Sequence, residues 1–408
     1  MLHRSHPIYL TLPLLAALAL APACGDDNSS AGNPDAGSAD SGTPPLLEPP
    51  PAGQGVQFSM RTRLEAGVEA EHCKFVKAPA NEMWVNRDEV RYGGGSHHFL
   101  LYATAYTEIP TKKEDGTPVD TSGVFDCSEG ATNGWKITKL IGGSQNGTSG
   151  DSLLRFPPGV AIPVPAGAVL LMNAHYINST DGALEPDVYI NLWTIPKADV
   201  QQEGDILFLY NPLIKVPAQG TGRARWRCPV HKDITVANVQ SHMHRRGVGY
   251  SANVVGQADP FYTSAGWENV PVKRFEPGMV LHAGETLDYH CDYMNPENRE
   301  VFQGPRSTDE MCMLIGSYYP ADPATASCSD EQGEMAGEWV GNGSATCAQT
   351  WTCFQDAFHQ DKVLRGLTSC VDKASPTVAK ESSALLRCMM RTNDPAMCQA
   401  QVSACQAL

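Results

Sequence analysis

Two histidines with a single residue between them, in Gln240-Ser241-His242-Met243-His244, have the spacing best suited to joint chemistry. A strand sends residues i and i+2 to one face, so His242 and His244 project together, about 7 Å apart at roughly 3.3 Å per residue. Two imidazoles aimed at one point form half of a metal site, although a plain surface or core pair has the same spacing. Other soft and borderline donors are scattered. His97-His98 follows Gly93-Gly94-Gly95-Ser96, His175 closes an apolar run from Ala168, and Met311 stands beside Cys312. Adjacent histidines in a regular strand face opposite ways, so His97 and His98 share an ion only if the backbone bulges, which the glycines permit. His175 by itself reads as a satisfied core residue.

The elements that must position these groups read as strands. Ile234 to Val239 leads into the His242 pair, Gln57 to Arg63 alternates, and Asp187 to Ile195, Asp205 to Tyr210 and Tyr250 to Val255 continue the pattern. With 37 Gly and 30 Pro, this predicts an all-β body. Met311 and Cys312 face opposite sides of their strand, so Cys312 can cross-link one side while Met311 points to the other, where it meets His242 and His244 if they face that side.

The 408 residues leave room for two or three domains, and a net charge of -15 argues against a nucleic-acid partner. At the N-terminus, Arg4 precedes an apolar run, Ile8 to Ala21, that is short for a membrane span and is interrupted by Pro13. Ala21-Pro22-Ala23-Cys24 resembles a bacterial lipoprotein lipobox, with Ala21 where Leu is usual. Residues 1–23 then read as a signal peptide and Cys24 as the lipidation site. The protein is expected outside the cytoplasm, touching the membrane only through that lipid, or secreted if not lipidated. Residues 24–55, rich in Gly, Ser, Asp and Pro, read as a disordered tether. Setting Cys24 aside from thirteen cysteines leaves twelve, the parity a disulfide framework needs. Beyond about Gly333, Cys347, Cys353, Cys370, Cys388, Cys398 and Cys405 lie in helical-looking sequence, with Asp394-Pro395 as a helix start. Residues 333–408 read as a Cys-rich helical module of open connectivity, either covering part of the core or a passive appendix.

Taken in order, His97-His98, His175-Tyr176, His242-Met243-His244 and Asp309-Glu310-Met311-Cys312, with Tyr318-Tyr319, resemble the copper type II, ascorbate-dependent monooxygenases. That family includes the peptidylglycine and dopamine hydroxylases, and the similarity covers roughly residues 57 to 328. The resemblance implies two jelly-roll-like β-sandwich domains, 56–200 and 201–332, each with one copper facing a solvent cleft. By resemblance, His97, His98 and His175 hold an electron-transfer copper, and His242, His244 and Met311 hold the copper where oxygen reacts. A thioether favours Cu(I), whereas three histidines alone also suit catalytic zinc. The implied reaction hydroxylates a C–H bond of a small organic substrate with O2 and electrons from ascorbate or a similar reductant. Family disulfides carried by position imply Cys228–Cys328 and Cys291–Cys312, leaving Cys73–Cys127 for the first domain.

The peptide-hydroxylating branch binds a substrate carboxylate through groups at the places of Gln240, Met313 and Ile315, so a peptidylglycine substrate is not expected. Tyr318 and Tyr319 either shape the pocket or belong to the core. His72, His231, His282, His290 and His359 lack family-matched partners; His290, opposite in facing to Cys291, is placed where it could approach the second copper. The alternatives are a copper-binding or copper-sensing lipoprotein without turnover and a zinc hydrolase built on the His97 set.

Overall fold

The computed structural model describes residues 46–145 and 152–408. The expected signal peptide, Cys24 and most of the expected tether lie outside the described residues. The last part of that tether is already packed: Leu47 is buried, and the Gln57 and Asn191 amides donate to the carbonyls of Leu47 and Glu48.

The fold is mostly β, and its two main cores are each enclosed by a pair of sheets. In the first sandwich, one sheet orders Gly55–Arg61, Asp187–Thr194, Met83–Tyr92, Val160–Val164 and Gln202–Glu203. Its partner orders Phe125–Asp126, Glu69–Lys77, Val169–Ile177, Ser96–Thr104 and Ile137–Ser144. Alternation explains the core: Phe99 and Leu101 point inward with Val90, Ile190 and Leu192, while Leu100 and Tyr102 face the other way. The second sandwich pairs a four-stranded sheet, Asp205–Tyr210, Cys312–Tyr319, Ile234–Met243 and Lys273–Leu281, with a five-stranded one. That larger sheet orders Tyr262–Ser264, Gly247–Val254, Thr286–Asn295, Gly220–Pro229 and Glu338–Val340.

Within the four-stranded sheet, the strand Cys312–Tyr319 is buried on both faces. Cys312, Leu314 and Tyr318 join the second core, whereas Ile206, Met313 and Ile315 join the first. A strand covered on both sides reads as a continuous apolar run, as Cys312–Tyr319 does. The two sandwiches therefore dock sheet against sheet, and the histidines lie in that seam.

Six disulfides join Cys73–Cys127, Cys228–Cys328, Cys291–Cys312, Cys347–Cys405, Cys353–Cys370 and Cys388–Cys398. The last three staple the helices Cys347–Phe358, Val363–Lys373, Ala379–Thr392 and Gln399–Gln406. This region is continuous with the second core, to which Phe354, Leu367, Leu385 and Met389 belong. Glu338–Val340 adds an edge strand beside Arg225 to Arg227, and Trp339 stacks on Trp226 with ring centroids 5.9 Å apart. Asp394 caps the short turn Pro395–Cys398 by accepting from the Ala396 N–H. No helix among the described residues is long and apolar enough to cross a membrane.

Candidate metal centre

Two backbone irregularities aim the histidines. The first lies on the strand Ser96–Thr104. Ser96 pairs with Tyr176 and His98 with His175, so His97 is the extra residue of a β-bulge. Gly95 enters it at φ +88°, a conformation an L side chain adopts at a cost, and a Cβ there would meet Leu184 at 2.9 Å. The bulge breaks the alternation that would send His97 and His98 apart. Glu71, His175 and His98 stand abreast on three neighbouring strands. One ligand atom from each of His97, His98 and His175 lies within 4.8 Å of the others, a group that could hold a metal ion.

The second irregularity lies on the strand Ile234–Met243. Val236 pairs with Tyr318 but Gln240 pairs with Ile315, so one extra residue is inserted between them. Val236 faces the second core, and so do Val239 and Met243. Without the insertion, the even-numbered residues 240, 242 and 244 would share the core-facing phase of Val236. With it, Gln240, His242 and His244 turn toward the first sandwich. Gly316 makes room: a Cβ there would sit 2.2 Å from the Asn238 carbonyl oxygen.

The two sets consequently meet. Ring centroids are 5.3 Å apart for His98 and His242, 6.3 Å for His97 and His242, and 6.4 Å for His175 and His244. Separations within the sets, 5.1 to 5.4 Å, are no different in kind. The solvent cleft implied between the sets is narrowed here to cavities lined from both sandwiches, because the apolar outer faces of two sheets pack together and polar groups bridge them. Gln145 of the first sandwich donates to the Gln240 side chain and the Ser241 carbonyl. Glu69 accepts from the backbone N–H and hydroxyl of Ser307, at 2.6 and 2.7 Å.

Those bridging groups also set the imidazole tautomers. His242 Nδ1 donates to the Gln145 side-chain oxygen at 2.7 Å, His244 Nδ1 to the Asp309 carbonyl at 3.3 Å, and His175 Nε2 to Glu69 at 3.0 Å. Each assignment follows from the acceptor opposite and leaves the other ring nitrogen with a lone pair. His97 Nε2, His98 Nδ1, His175 Nδ1 and His244 Nε2 are buried with no hydrogen-bond partner among the described residues. Uncompensated buried nitrogens are costly, and a cation is the natural partner for several at once.

Electrostatics keeps the lone pairs free. Burial, then the neighbouring histidines, pushes the pKa of His97 down to about 4 and of His244 to about 3, and holds His98 and His242 well below the usual imidazole range. Burial alone would raise Glu69, but its bonds from His175 and Ser307 outweigh that and hold it at about 2. The turn after His244 is pinned by the buried Glu310 carboxylate, which accepts from the His244 and Arg246 N–H groups.

Met311 lines the same cavity as His98 and His242, packing toward the first sandwich while Cys312 enters the second core. That cavity, about 340 Å³, is walled by Leu100, Tyr102, Phe208, Tyr210, Met313 and Ile315. Its lining includes the carboxylates of Glu71 and Glu129 and no lysine or arginine. Tyr318 belongs to the second core, and its hydroxyl donates to the Asp322 carbonyl. His290 does not approach this site: it lies on the outer side of the larger sheet, across from Arg225 and 3.7 Å from Asp292. Glu69, Gln145, Ser307 and Trp267, whose ring stands 5.2 Å from His97, were not legible as site residues. Each reaches the site from a loop or strand end with no motif around it.

Residues 209–338 match the family model for the copper type II ascorbate-dependent monooxygenase C-terminal domain. They belong to that family. The matched stretch contains His242, His244 and Met311 and ends at the strand carrying Trp339. No curated protein matches this chain. Among solved structures, the chain is similar to the major capsid protein P2 of bacteriophage PM2 at 12% identity, covering 63% of this chain and 98% of that one. The TM-score is 0.24, which carries no argument about fold or function.

Proposed function

We propose that this monooxygenase-family chain is a copper enzyme that hydroxylates a C–H bond of a small organic molecule, using O2 and an ascorbate-type reductant. The observation that carries the reading is the convergence of five imidazoles, at least four of them held neutral, on one seam whose cavity also presents a thioether. His97, His98 and His175 would hold an electron-transfer copper; His242, His244 and Met311 would hold the oxygen-reactive one. Copper in such sites supplies one-electron redox chemistry and reduction of O2.

The chain's own work is positioning and exclusion. Glu69, Gln145 and the Asp309 carbonyl fix three imidazoles by taking the proton of the nitrogen that faces away. Burial of His98, His175, His242 and His244 keeps bulk water from the reacting region. The cavity beside His98, His242 and Met311 is where a substrate C–H bond would lie. Gln240 is engaged with Gln145, and Met313 and Ile315 wall the cavity, so no guanidinium fork awaits a carboxylate. With a mostly apolar lining, Glu71 as its buried acid and Glu129 ion-paired with Lys113, the cavity suits a largely apolar substrate rather than an anion.

Six disulfides accord with an oxidising, extracytoplasmic location. Cys24 as the lipid anchor extends this reading. The test is to screen copper-loaded protein with ascorbate against a metabolite extract for products one oxygen heavier. Ascorbate oxidation without any oxygenated product would instead favour the copper-binding or sensing alternative.

A further inference from the structure

We propose that Glu71 and the Tyr102 hydroxyl form the specificity subsite of the cavity, binding a hydrogen-bond-donating head group, an amine or a hydroxyl, on an otherwise apolar substrate. The inference rests on the cavity being the substrate site of the reading above, and it names the substrate class. Neither residue belongs to the proposed ligand sets. Glu71 is 7% exposed and lines the cavity together with His98, His242 and Met311. It stands abreast of His98 but two strands away, with His175 between them. At about 4.8 Å per strand, that is a backbone separation of roughly 10 Å, room for a body of several carbons.

Glu71 lacks the partners that other buried carboxylates of this protein have. Asp288 is answered by Arg225 and Arg227, Glu310 by Arg246, and Asp88 by the Gly143 and Leu154 N–H groups. Among the described residues no lysine or arginine pairs with Glu71, and none lines the cavity. The Asn173 amide donates to it at 3.1 Å, and the Ala131 N–H also engages it. A carboxylate offers about four acceptor sites, so capacity is left for a guest. Burial pushes the Glu71 pKa up, as expected of an acid short of donors. Tyr102 is 6% exposed, lines the same cavity, and its hydroxyl has no hydrogen-bond partner among the described residues. The Tyr210 hydroxyl, which accepts from the Gln303 amide, adds a further polar group to the lining. Leu100, Phe208, Met313 and Ile315 make the remaining wall apolar. A carboxylate head would meet Glu71 with no cation to offset the repulsion.

Calorimetric titration of the full chain with hexylamine, hexanol and hexanoate, three probes of one length, tests this. It is run copper-loaded without reductant and again metal-free, so that direct bonding of the amine to copper is separated. In both states hexylamine or hexanol should bind roughly tenfold or more tightly than hexanoate, the scale of a hydrogen bond to a charged group. The tighter of the two identifies the head group. Glu71→Gln, which keeps the volume and an acceptor for Asn173, should erase most of that difference. Tyr102→Phe, which removes one oxygen, should weaken the two donor probes and leave hexanoate unchanged, and it serves if the first variant folds poorly. Hexanoate binding as tightly as the others, no measurable binding of any probe, or unchanged ratios in both variants would overturn the inference. Failure of the copper reading is distinct: copper or oxygenated product would be missing while the ranking of the probes held.

Discussion

Gly316→Ala should separate the two halves of the metal centre by disturbing only the backbone that aims one of them. The alanine Cβ would stand 2.2 Å from the Asn238 carbonyl oxygen and 3.0 Å from Val239, against an ordinary contact of 3.4–4 Å. The closer obstacle is backbone, so one strand must shift by about 1 Å or more, or the bulge must slide out. Overpacking of this kind costs roughly 1–3 kcal/mol. At about 2 °C per kcal/mol for a unit of this size, a 3 kcal/mol loss lowers Tm by about 6 °C. The sharper consequence is local. Losing the extra residue returns His242 and His244 to the core-facing phase, while His97, His98 and His175 lie on strands the substitution does not touch. Metal analysis and EPR after copper loading should show one occupied set instead of two. Gly249→Ala is the control, since its nearest atom is 3.6 Å away in ordinary contact. Full copper occupancy and an unchanged Tm in Gly316→Ala would refute the bulge argument.

Met311→Ile should abolish substrate hydroxylation while the His97, His98 and His175 set still binds copper; equal loss of copper from both sets would count against the thioether ligand. Trp339→Ala should destabilise the protein by about 3–5 kcal/mol in a denaturant titration, because the indole is 2% exposed, stacks on Trp226 and donates to Asn211. Stability should also fall with rising pH at Asp88. This carboxylate brackets the segment carrying Gln145, accepting from the Gly143 and Leu154 N–H groups, and burial raises its pKa from 3.8 to about 7. A raised folded-state value makes the contribution complete below pH 3.8 and lost as pH passes 7. The shift corresponds to roughly 4 kcal/mol. Denaturant titrations between pH 4 and 8 should show a smaller pH slope for Asp88→Asn, and an identical slope would exclude Asp88 as a source.

The residue types and their local phases were legible in the sequence alone. The His242 and His244 spacing, the opposite facing of Met311 and Cys312, and the all-β character follow from a two-residue repeat that each strand carries internally. The glycines before His97 signalled that a bulge was permitted there. Other features depended on contacts between segments distant in the chain. Nothing local to Ile234–Met243 announces its bulge, because the cause is the missing side chain of Gly316 on the neighbouring strand. The connectivity of the last six cysteines is a matter of which helix ends meet, and their order along the chain cannot encode it. Likewise the closeness of the two histidine sets arises from two apolar sheet faces packing together, with Gln145 and Glu69 reaching across. A strand's sequence states which way its side chains point, and only docking states what they point at.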